Sequence, residues 1–106
     1  MSGKRSRNKG HNWERECATL LKPIFPTAKR KLEYQIEEAK GYDLENTGPF
    51  LIQCKRGKKY CSISKINEPQ CDENQMPMLI TKGDHLKPVV AMYLEDFIHW
   101  TTKIQN

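Results

Sequence analysis

Three residues near the middle of the chain carry side chains that suit phosphodiester hydrolysis: Asp43, Gln53 and Lys55. A carboxylate and an amide oxygen are hard donors that Mg²⁺ accepts, and this metal keeps its other positions for water and phosphate. A lysine beside such a metal can orient the attacking water or neutralise charge that develops at phosphorus. Two of them also have an ordinary interpretation, because Asp43 lies near a turn and Lys55 belongs to a basic, solvated run.

A β-hairpin would bring these residues together. Segments 42–45 and 50–55 read as strands, and the turn-rich residues 46–49 join them, so we predict an antiparallel pair. Side chains alternate along a strand, which places Gln53 and Lys55 on the same face. The other face of this strand is apolar and carries Phe50, Ile52 and Cys54.

An amphipathic helix is predicted over residues 12–22, with Asn12 as its N-cap and Pro23 after its end. Glu14 and Glu16 lie on opposite flanks of its apolar stripe, so either could lean over the surface on which the helix packs. Helical spacing does not choose between them. The stripe consists of Trp13, Cys17, Leu20 and Leu21.

The rest of the chain alternates between extended and helical patterns. We predict an extended basic segment over 27–34, a short helix within 62–67, strands over 78–81 and 89–93, and a helix over 94–103. The two later strands are joined through a turn at Gly83-Asp84-His85. The fold class is therefore α+β, with a mixed central β-sheet flanked by helices.

The chain has 106 residues and a mass of 12.4 kDa, the size of one domain. Lys and Arg total 18 against 13 Asp and Glu, which gives a net charge of +5 and a pI of ≈ 9.1. Of the basic residues, 14 lie in the first 60 positions. We predict a flexible basic arm over residues 1–10 and a single domain over 11–106, with nucleic acid as the favoured partner.

Membrane and secreted classes do not fit the pattern. Apolar runs are only a few residues long, so no transmembrane helix is expected. A polar segment with two glutamates follows the basic N-terminus where a signal peptide would be apolar, which favours a cytoplasmic protein. The cysteines are then expected to stay reduced, and their spacing fits no zinc site. Cys17 and Cys54 are predicted as small buried core residues.

The order of these residues resembles that of the PD-(D/E)XK nuclease superfamily, in particular the small archaeal-type Holliday junction resolvases and their phage relatives. The resemblance is carried by residues 9–16 (KGHNWERE), Arg30, Asp43-Leu44 and Ile52-Gln53-Cys54-Lys55. Residues 77–100, with their two strands and intervening turn, are similar to phage members. The resemblance implies an α/β/α, restriction-endonuclease-like fold.

The resemblance also implies roles for individual residues. Glu14 would match the glutamate of the first helix, Asp43 the metal-binding aspartate, Gln53 the acidic position and Lys55 the lysine. Mg²⁺, with Mn²⁺ as a substitute, would be held by Asp43, Gln53 and the backbone carbonyl of Cys54, and Glu14 would ligate directly or through water. The implied activity is metal-dependent endonucleolytic hydrolysis of DNA, with selectivity for branched structures such as Holliday junctions.

A basic surface for the DNA backbone is expected from the charge distribution, and the resemblance adds Arg15 and Arg30 to it. Phosphate contacts would set the register on the DNA without reading bases. The residues expected to bind nucleic acid are Lys4, Arg5, Arg7, Lys9, Arg15, Arg30, Arg56, Lys58 and Lys59. Cutting two strands needs two active sites, so a homodimer is expected, with Phe97 and Ile98 as candidates for its surface. The implied setting is the cytoplasm of a bacterial or phage-infected cell.

Gln53 departs from the superfamily pattern, which has an acid at this position. An amide oxygen lacks the charge of a carboxylate, so metal affinity should fall unless another acid compensates, and Glu45 is the local candidate. The main alternative function is a non-catalytic DNA- or RNA-binding module that keeps the nuclease fold. A third is an assembly protein that uses its basic arm for packaging. Trp13 and Trp100 could stack on bases, although their helical positions favour core packing.

Overall fold

A computed structural model of the chain describes residues 2–32 and 41–105, with side chains from residue 9 to residue 104. Its elements in chain order are α1 (Ser2–Leu20), β1 (Lys29–Arg30), β2 (Leu44–Glu45), β3 (Phe50–Gly57), a 3-10 turn (Ile63–Lys65), β4 (Met76–Gly83), β5 (Val89–Ala91) and α2 (Leu94–Gln105). The predicted extended segment 27–34 is thus reduced to two strand residues, and its positions 33–34 lie outside the described residues.

The central sheet has three strands in the order β3-β4-β5. β3 and β4 run parallel, with Ile52 opposite Met78, whereas β4 and β5 are antiparallel. A parallel partner cannot follow through a tight turn, so residues 58–75 cross over the sheet between the two strands. This mixed sheet with two helices confirms the α+β prediction.

The predicted hairpin across residues 46–49 does not form, and that prediction is wrong. The two flanking segments contain strands, but β2 pairs with β1 in a separate antiparallel ladder. Asn46 and Gly48 both have positive φ, at 63° and 60°, so the link bends twice and turns β2 away from β3. One backbone bond still joins the segments, from the Asp43 N–H to the Ile52 carbonyl at 2.8 Å.

α1 begins ten residues before the predicted start at Asn12 and ends at Leu20, so the predicted bounds were wrong. The apolar stripe that suggested the start is confined to the C-terminal half of the helix. The residues before it contain no proline and continue the helix as a polar extension. The backbone of the predicted basic arm is therefore helical from Ser2, and its independent mobility stays a prediction.

The core lies between the C-terminal half of α1 and one face of the sheet. Trp13 and Cys17 pack with Ile52 and Cys54, and all four are buried. Removing a large side chain of this kind from water contributes about 1.5–3 kcal/mol to the free energy of unfolding. The burial of Trp13, Cys17 and Cys54 confirms the core prediction and fixes the rotation of α1 on the sheet.

The opposite face of the sheet is covered by irregular chain in the described structure. The backbone N–H of Cys61 donates to Oγ1 of Thr81 on β4 at 2.8 Å. Asn67, further along the same segment, accepts a hydrogen bond from Gln53 on β3. The short helix predicted within 62–67 is a single 3-10 turn. This segment therefore forms one wall over the polar face of β3.

α2 begins at the predicted residue and packs on the same face as α1. The ring of Trp100 meets that of Phe50 edge to face, with centroids 5.4 Å apart. Between α2, the end of α1 and the sheet lies an open space of ≈ 600 Å³, called here the apolar groove. Its lining includes Leu21, Phe25, Phe50, Met78, Phe97 and Trp100. Within residues 2–32 and 41–105, no helix has the length and apolar character needed to cross a bilayer.

Candidate active site

The four residues predicted to carry chemistry line a single cavity of ≈ 270 Å³ beside β3. They arrive from α1, from the segment before β2 and from β3. The cavity, called here the acid cavity, is lined by Glu14, Lys31, Gly41, Tyr42, Asp43, Gln53, Lys55 and Asn67.

Glu14 enters the acid cavity because of the rotation of α1. Trp13 and Cys17, on the adjacent stripe, are buried and fix that rotation. The Arg30 guanidinium donates from Nε to Oε2 of Glu14 at 2.9 Å, in a largely buried ion pair. Glu16 is exposed, so tertiary packing selects Glu14 where helical spacing could not.

Asp43 is held by three backbone hydrogen bonds. Its N–H donates to the Ile52 carbonyl at 2.8 Å, and its own carbonyl accepts from the N–H of Lys31 at 2.9 Å. Its carboxylate oxygen Oδ2 accepts the backbone N–H of Cys54 at 2.9 Å. A carboxylate can accept several bonds, so Asp43 keeps acceptor capacity for a further ligand.

Gln53 is buried on the polar face of β3. Its amide nitrogen donates to the backbone carbonyl of Asn67. This bond leaves the amide oxygen as the acceptor that Gln53 can present to a ligand. A carboxylate at this position would have no proton to donate to the Asn67 carbonyl. The hydrogen bond is therefore a structural reason for a glutamine here, in addition to the ligand oxygen that its amide offers.

Lys55 is exposed at the junction of two cavities. A second cavity of ≈ 410 Å³, called here the basic cavity, shares Glu14, Asp43 and Lys55 with the acid cavity. Its remaining lining residues are Lys9, Gly10, Trp13, Cys54 and Arg56. The two cavities therefore adjoin each other at the two carboxylates.

Both carboxyl groups are harder to ionise than usual. Burial raises the pKa of Glu14 and the charge of Asp43 raises it further, against the opposing effect of Arg30 and Lys55. Burial also raises the pKa of Asp43, against the hydrogen bond from Cys54 and the charges of Lys55 and Arg30. A cation bound by this pair would relieve both the burial cost and the mutual repulsion. Perturbed acids in a cavity are typical of functional sites.

The oxygen donors of the acid cavity fit a small hard cation. Two carboxylates and the amide oxygen of Gln53 are of the type that Mg²⁺ prefers. In the described part of the chain, no three His, Cys, Asp or Glu side chains cluster as a metal site, so the third side-chain donor would be this neutral oxygen. A hydrogen bond with Cys17, together with burial, raises the pKa of the Cys54 thiol. Cys54 could therefore contribute its backbone carbonyl but not a thiolate.

Glu45 does not lie in the acid cavity, so the expectation that it compensates for Gln53 is wrong. Its carboxylate is 3.7 Å from Nζ of Lys29, its cross-strand neighbour. β2 begins only at Leu44, so strand alternation does not extend back to Asp43. Glu45 is held in a separate cavity with Lys29.

The basic residues predicted to bind DNA have different surroundings. Lys9 and Arg56 line the basic cavity, and the Arg56 guanidinium lies 5.8 Å from the ring centroid of Trp13. Arg30 is turned inward onto Glu14. Three others are exposed: Arg15, Lys58 and Lys59. Three have side chains outside the described residues: Lys4, Arg5 and Arg7.

Sequence reasoning missed the far wall of the acid cavity, which contains Lys31, Tyr42 and Asn67. Lys31 is only 7% exposed, and its Nζ lies 3.9 Å from the ring centroid of Tyr42. The sequence shows Lys31 as one of three consecutive basic residues, and nothing in that run indicates that one of them is buried. No family model, curated protein or solved structure matches the chain, so the geometry of these cavities is the observation on which a function rests.

Proposed function

We propose that this chain is a Mg²⁺-dependent endonuclease that hydrolyses DNA phosphodiester bonds, with a restriction-endonuclease-like fold of the PD-(D/E)XK type. The observation that carries the proposal is the convergence of Glu14, Asp43, Gln53 and Lys55 on the acid cavity from three separate segments. The mixed sheet, with two parallel strands and an antiparallel third, is consistent with that fold.

Asp43, Gln53 and the backbone carbonyl of Cys54 would hold the metal, and Glu14 would ligate directly or through water. When bound, Mg²⁺ would lower the pKa of a water and polarise the phosphate. The backbone N–H of Cys54 holds the Asp43 carboxylate in one orientation, which reduces the reorganisation needed when a ligand arrives. Arg30 competes for Glu14, so this glutamate is the donor most easily withheld from the metal.

Lys55 is proposed to orient the attacking water and to offset negative charge at phosphorus. Its ammonium is exposed beside two half-buried carboxylates and lowers the pKa of both. Positive charge at this point stabilises the transition state, in which the phosphate gains negative charge, more than it stabilises the ground state. Lys9 and Arg56 extend the positive surface along the basic cavity, where the strand backbone would lie.

The substrate class proposed is branched or duplex DNA, bound chiefly through its phosphates. The described basic residues predicted to bind DNA come from α1, from β1, from β3 and from the residues that follow β3, and not from one recognition element. Binding should therefore depend on DNA shape and on salt more than on sequence.

A second copy of this chain is the proposed occupant of the apolar groove and the adjoining face of α2. Phe97 and Ile98 are 47% and 54% exposed, although both are large apolar side chains. α2 carries acidic residues in its first turn and Lys103 in its last turn. In an antiparallel two-fold pair of α2 helices, these opposite charges would face each other. A dimer also provides the two sites needed to cut both strands of a junction.

One observation favours a second candidate function, a DNA- or RNA-binding module without catalysis. The amide of Gln53 is bonded to the Asn67 carbonyl, so this residue can be explained by structure alone. A site with only two carboxylates would then bind metal weakly, while the basic surface would still bind nucleic acid.

Cleavage of labelled four-way junction, linear duplex and single-stranded DNA distinguishes the two functions. Each substrate is incubated with Mg²⁺, Mn²⁺ or EDTA and with the wild-type, Asp43→Asn and Lys55→Met proteins. The nuclease proposal expects metal-dependent cutting by the wild type and its loss in both variants. Binding by all three proteins with no cutting in either metal would instead establish the binding module.

A further inference from the structure

We propose that Lys31 forms a phosphate subsite in the acid cavity and binds a backbone phosphate of the nucleic acid next to the bond that is cut. The inference rests on the proposed nuclease function and adds a residue to the four that carry the chemistry.

Lys31 differs from the two basic residues that precede it. Lys29 is paired with Glu45 at 3.7 Å, and Arg30 is paired with Glu14 at 2.9 Å. Lys31 is the most buried of the three, yet no carboxylate of the described residues lies within ion-pair distance of its ammonium. Among the described residues, Lys31 is therefore the one positive charge of this run that is buried with no counter-ion.

A buried ammonium is unfavourable unless it is paired and hydrogen-bonded. The face of the Tyr42 ring, 3.9 Å from Nζ, offsets part of this cost and holds the side chain against the cavity wall. The ring face attracts the ammonium electrostatically but does not replace a counter-ion. N–H donors of the ammonium therefore stay available for an anion. Because Lys31 lines the acid cavity, an anion that enters the cavity would supply the missing partner.

The position of Lys31 identifies that anion as a phosphate of the bound strand. The N–H of Lys31 donates to the Asp43 carbonyl at 2.9 Å, so the backbone of the subsite is fixed to that of the metal-binding aspartate. Lys9 and Arg56 line the adjoining basic cavity, which Lys31 does not line. A strand that crosses the carboxylates would then meet positive charge on both sides, with Lys31 on the acid-cavity side.

The test compares Lys31→Met with Lys29→Met, both made in the Asp43→Asn protein so that the DNA is not cut. Lys29 is a matched control, two residues away on the same segment but exposed and paired with Glu45. Binding of a fluorescent four-way junction is measured in EDTA over a range of NaCl concentrations. We expect Lys31→Met to weaken binding about tenfold at low salt and to reduce the slope of log K against log [NaCl] by about 0.9, as for one lost phosphate contact. Lys29→Met should leave both quantities unchanged.

Two further variants separate binding from folding. Tyr42→Phe keeps the ring and should bind like its parent, whereas Tyr42→Leu should weaken binding in the same direction as Lys31→Met. Because Met removes an unpaired buried charge, Lys31→Met should melt at the same temperature as its parent or higher. A lower melting temperature with an unchanged salt slope would show that the ammonium completes an interaction within the chain, and would overturn the proposal.

Single methylphosphonate substitutions identify the phosphate directly, because each removes the charge of one linkage. At one position near the cut, the substitution should weaken binding by the parent protein but not by Lys31→Met. If no position shows this coupling, the subsite does not exist. This result does not depend on catalysis. A chain that binds DNA through Lys31 but never cuts it would refute the proposed nuclease function and retain the phosphate subsite. A chain that does not bind DNA would refute the subsite.

Discussion

The acid cavity and the apolar groove lie against the same small sheet and are built in opposite ways. The acid cavity gathers charged groups from four segments, and its two carboxyl groups have raised pKa values. The apolar groove is more than twice as large, at ≈ 600 Å³ against ≈ 270 Å³, and has no charged residue in its lining.

This difference separates two kinds of unfavourable exposure. In the acid cavity, folding partly removes from water two repelling carboxylates and a lysine that has no counter-ion among the described residues, and these buried charges are unfavourable without charged partners. In the apolar groove, water contacts large side chains such as Phe97, and an apolar partner relieves that contact. The first region is therefore suited to charged ligands and the second to another protein surface.

The largest effect is expected from Asp43→Asn, which removes a charge from the acid cavity while its shape is kept. The amide oxygen can still accept the N–H of Cys54, so the fold should persist. We expect DNA cleavage to fall about 10³-fold, because both metal affinity and charge stabilisation are reduced. Initial rates on a labelled junction measure this. Asp84→Asn, an exposed acid outside both cavities, is the control and should cut like the wild type.

Lys55→Met should reduce the cleavage rate about 10²-fold, as for the loss of one group that stabilises developing charge. Metal affinity should be retained, because a lysine supplies no ligand. Mn²⁺ titrations of rate distinguish these two effects. Lys65→Met removes a similarly exposed lysine from the 3-10 turn and should leave the rate unaltered. Equal losses of cleavage rate in Lys55→Met and Lys65→Met would show that cleavage does not depend specifically on Lys55.

Gln53→Glu tests whether the glutamine at this position lowers the metal affinity of the acid cavity and raises the free energy of unfolding. An added carboxylate should lower the half-saturating Mn²⁺ concentration about tenfold. The same change removes the hydrogen bond to Asn67 and should lower the free energy of unfolding by about 1–3 kcal/mol. Mn²⁺ titration and urea denaturation measure the two effects separately. Gln75→Glu, on a half-buried residue outside the acid cavity, controls for added charge.

Phe97→Asp addresses the apolar groove alone. If a second copy covers this surface, a charge there should convert a dimer into a monomer at micromolar concentration, with about 1 kcal/mol or less lost from the monomer because Phe97 is half exposed. Light scattering after size exclusion gives the mass. Leu86→Asp, at a similarly exposed apolar residue outside the groove, should remain dimeric. A wild-type protein that is monomeric throughout would refute the dimer.

The smallest effect is a pH dependence of stability from the acid cavity. Burial raises the pKa of Asp43 in the folded chain above its ordinary value of 3.8, so the folded chain holds this proton more tightly. The corresponding stability is fully present below pH 3.8 and is lost as the pH rises through the folded value. Relative to Asp43→Asn, the wild type should therefore lose free energy of unfolding across this window. Urea midpoints between pH 3 and 8 measure it, and parallel curves for the two proteins would contradict it.

The predictions that the structure confirmed are those that depend on helical spacing and on strand alternation. Helical spacing identified Trp13 and Cys17 as core residues, because an apolar stripe has one favourable way to be buried. Strand alternation separated Gln53 and Lys55 from their apolar neighbours Ile52 and Cys54, and Gln53 and Lys55 do share the acid cavity. The pairing of β2 was not predictable in this way, because antiparallel partners depend on link conformations such as the positive φ at Asn46.

By itself the sequence determined the α+β class, the apolar faces and the candidate set of Asp43, Gln53 and Lys55, since these follow from residue type and periodicity. Only the tertiary structure chose Glu14 over Glu16, removed Glu45 from the acid cavity and buried Lys31 with no counter-ion in the described part of the chain. The physical reason is that each of these outcomes depends on how α1, β1 and β3 are oriented relative to one another. That orientation is set by core packing among residues distant in the sequence, which local patterns do not encode.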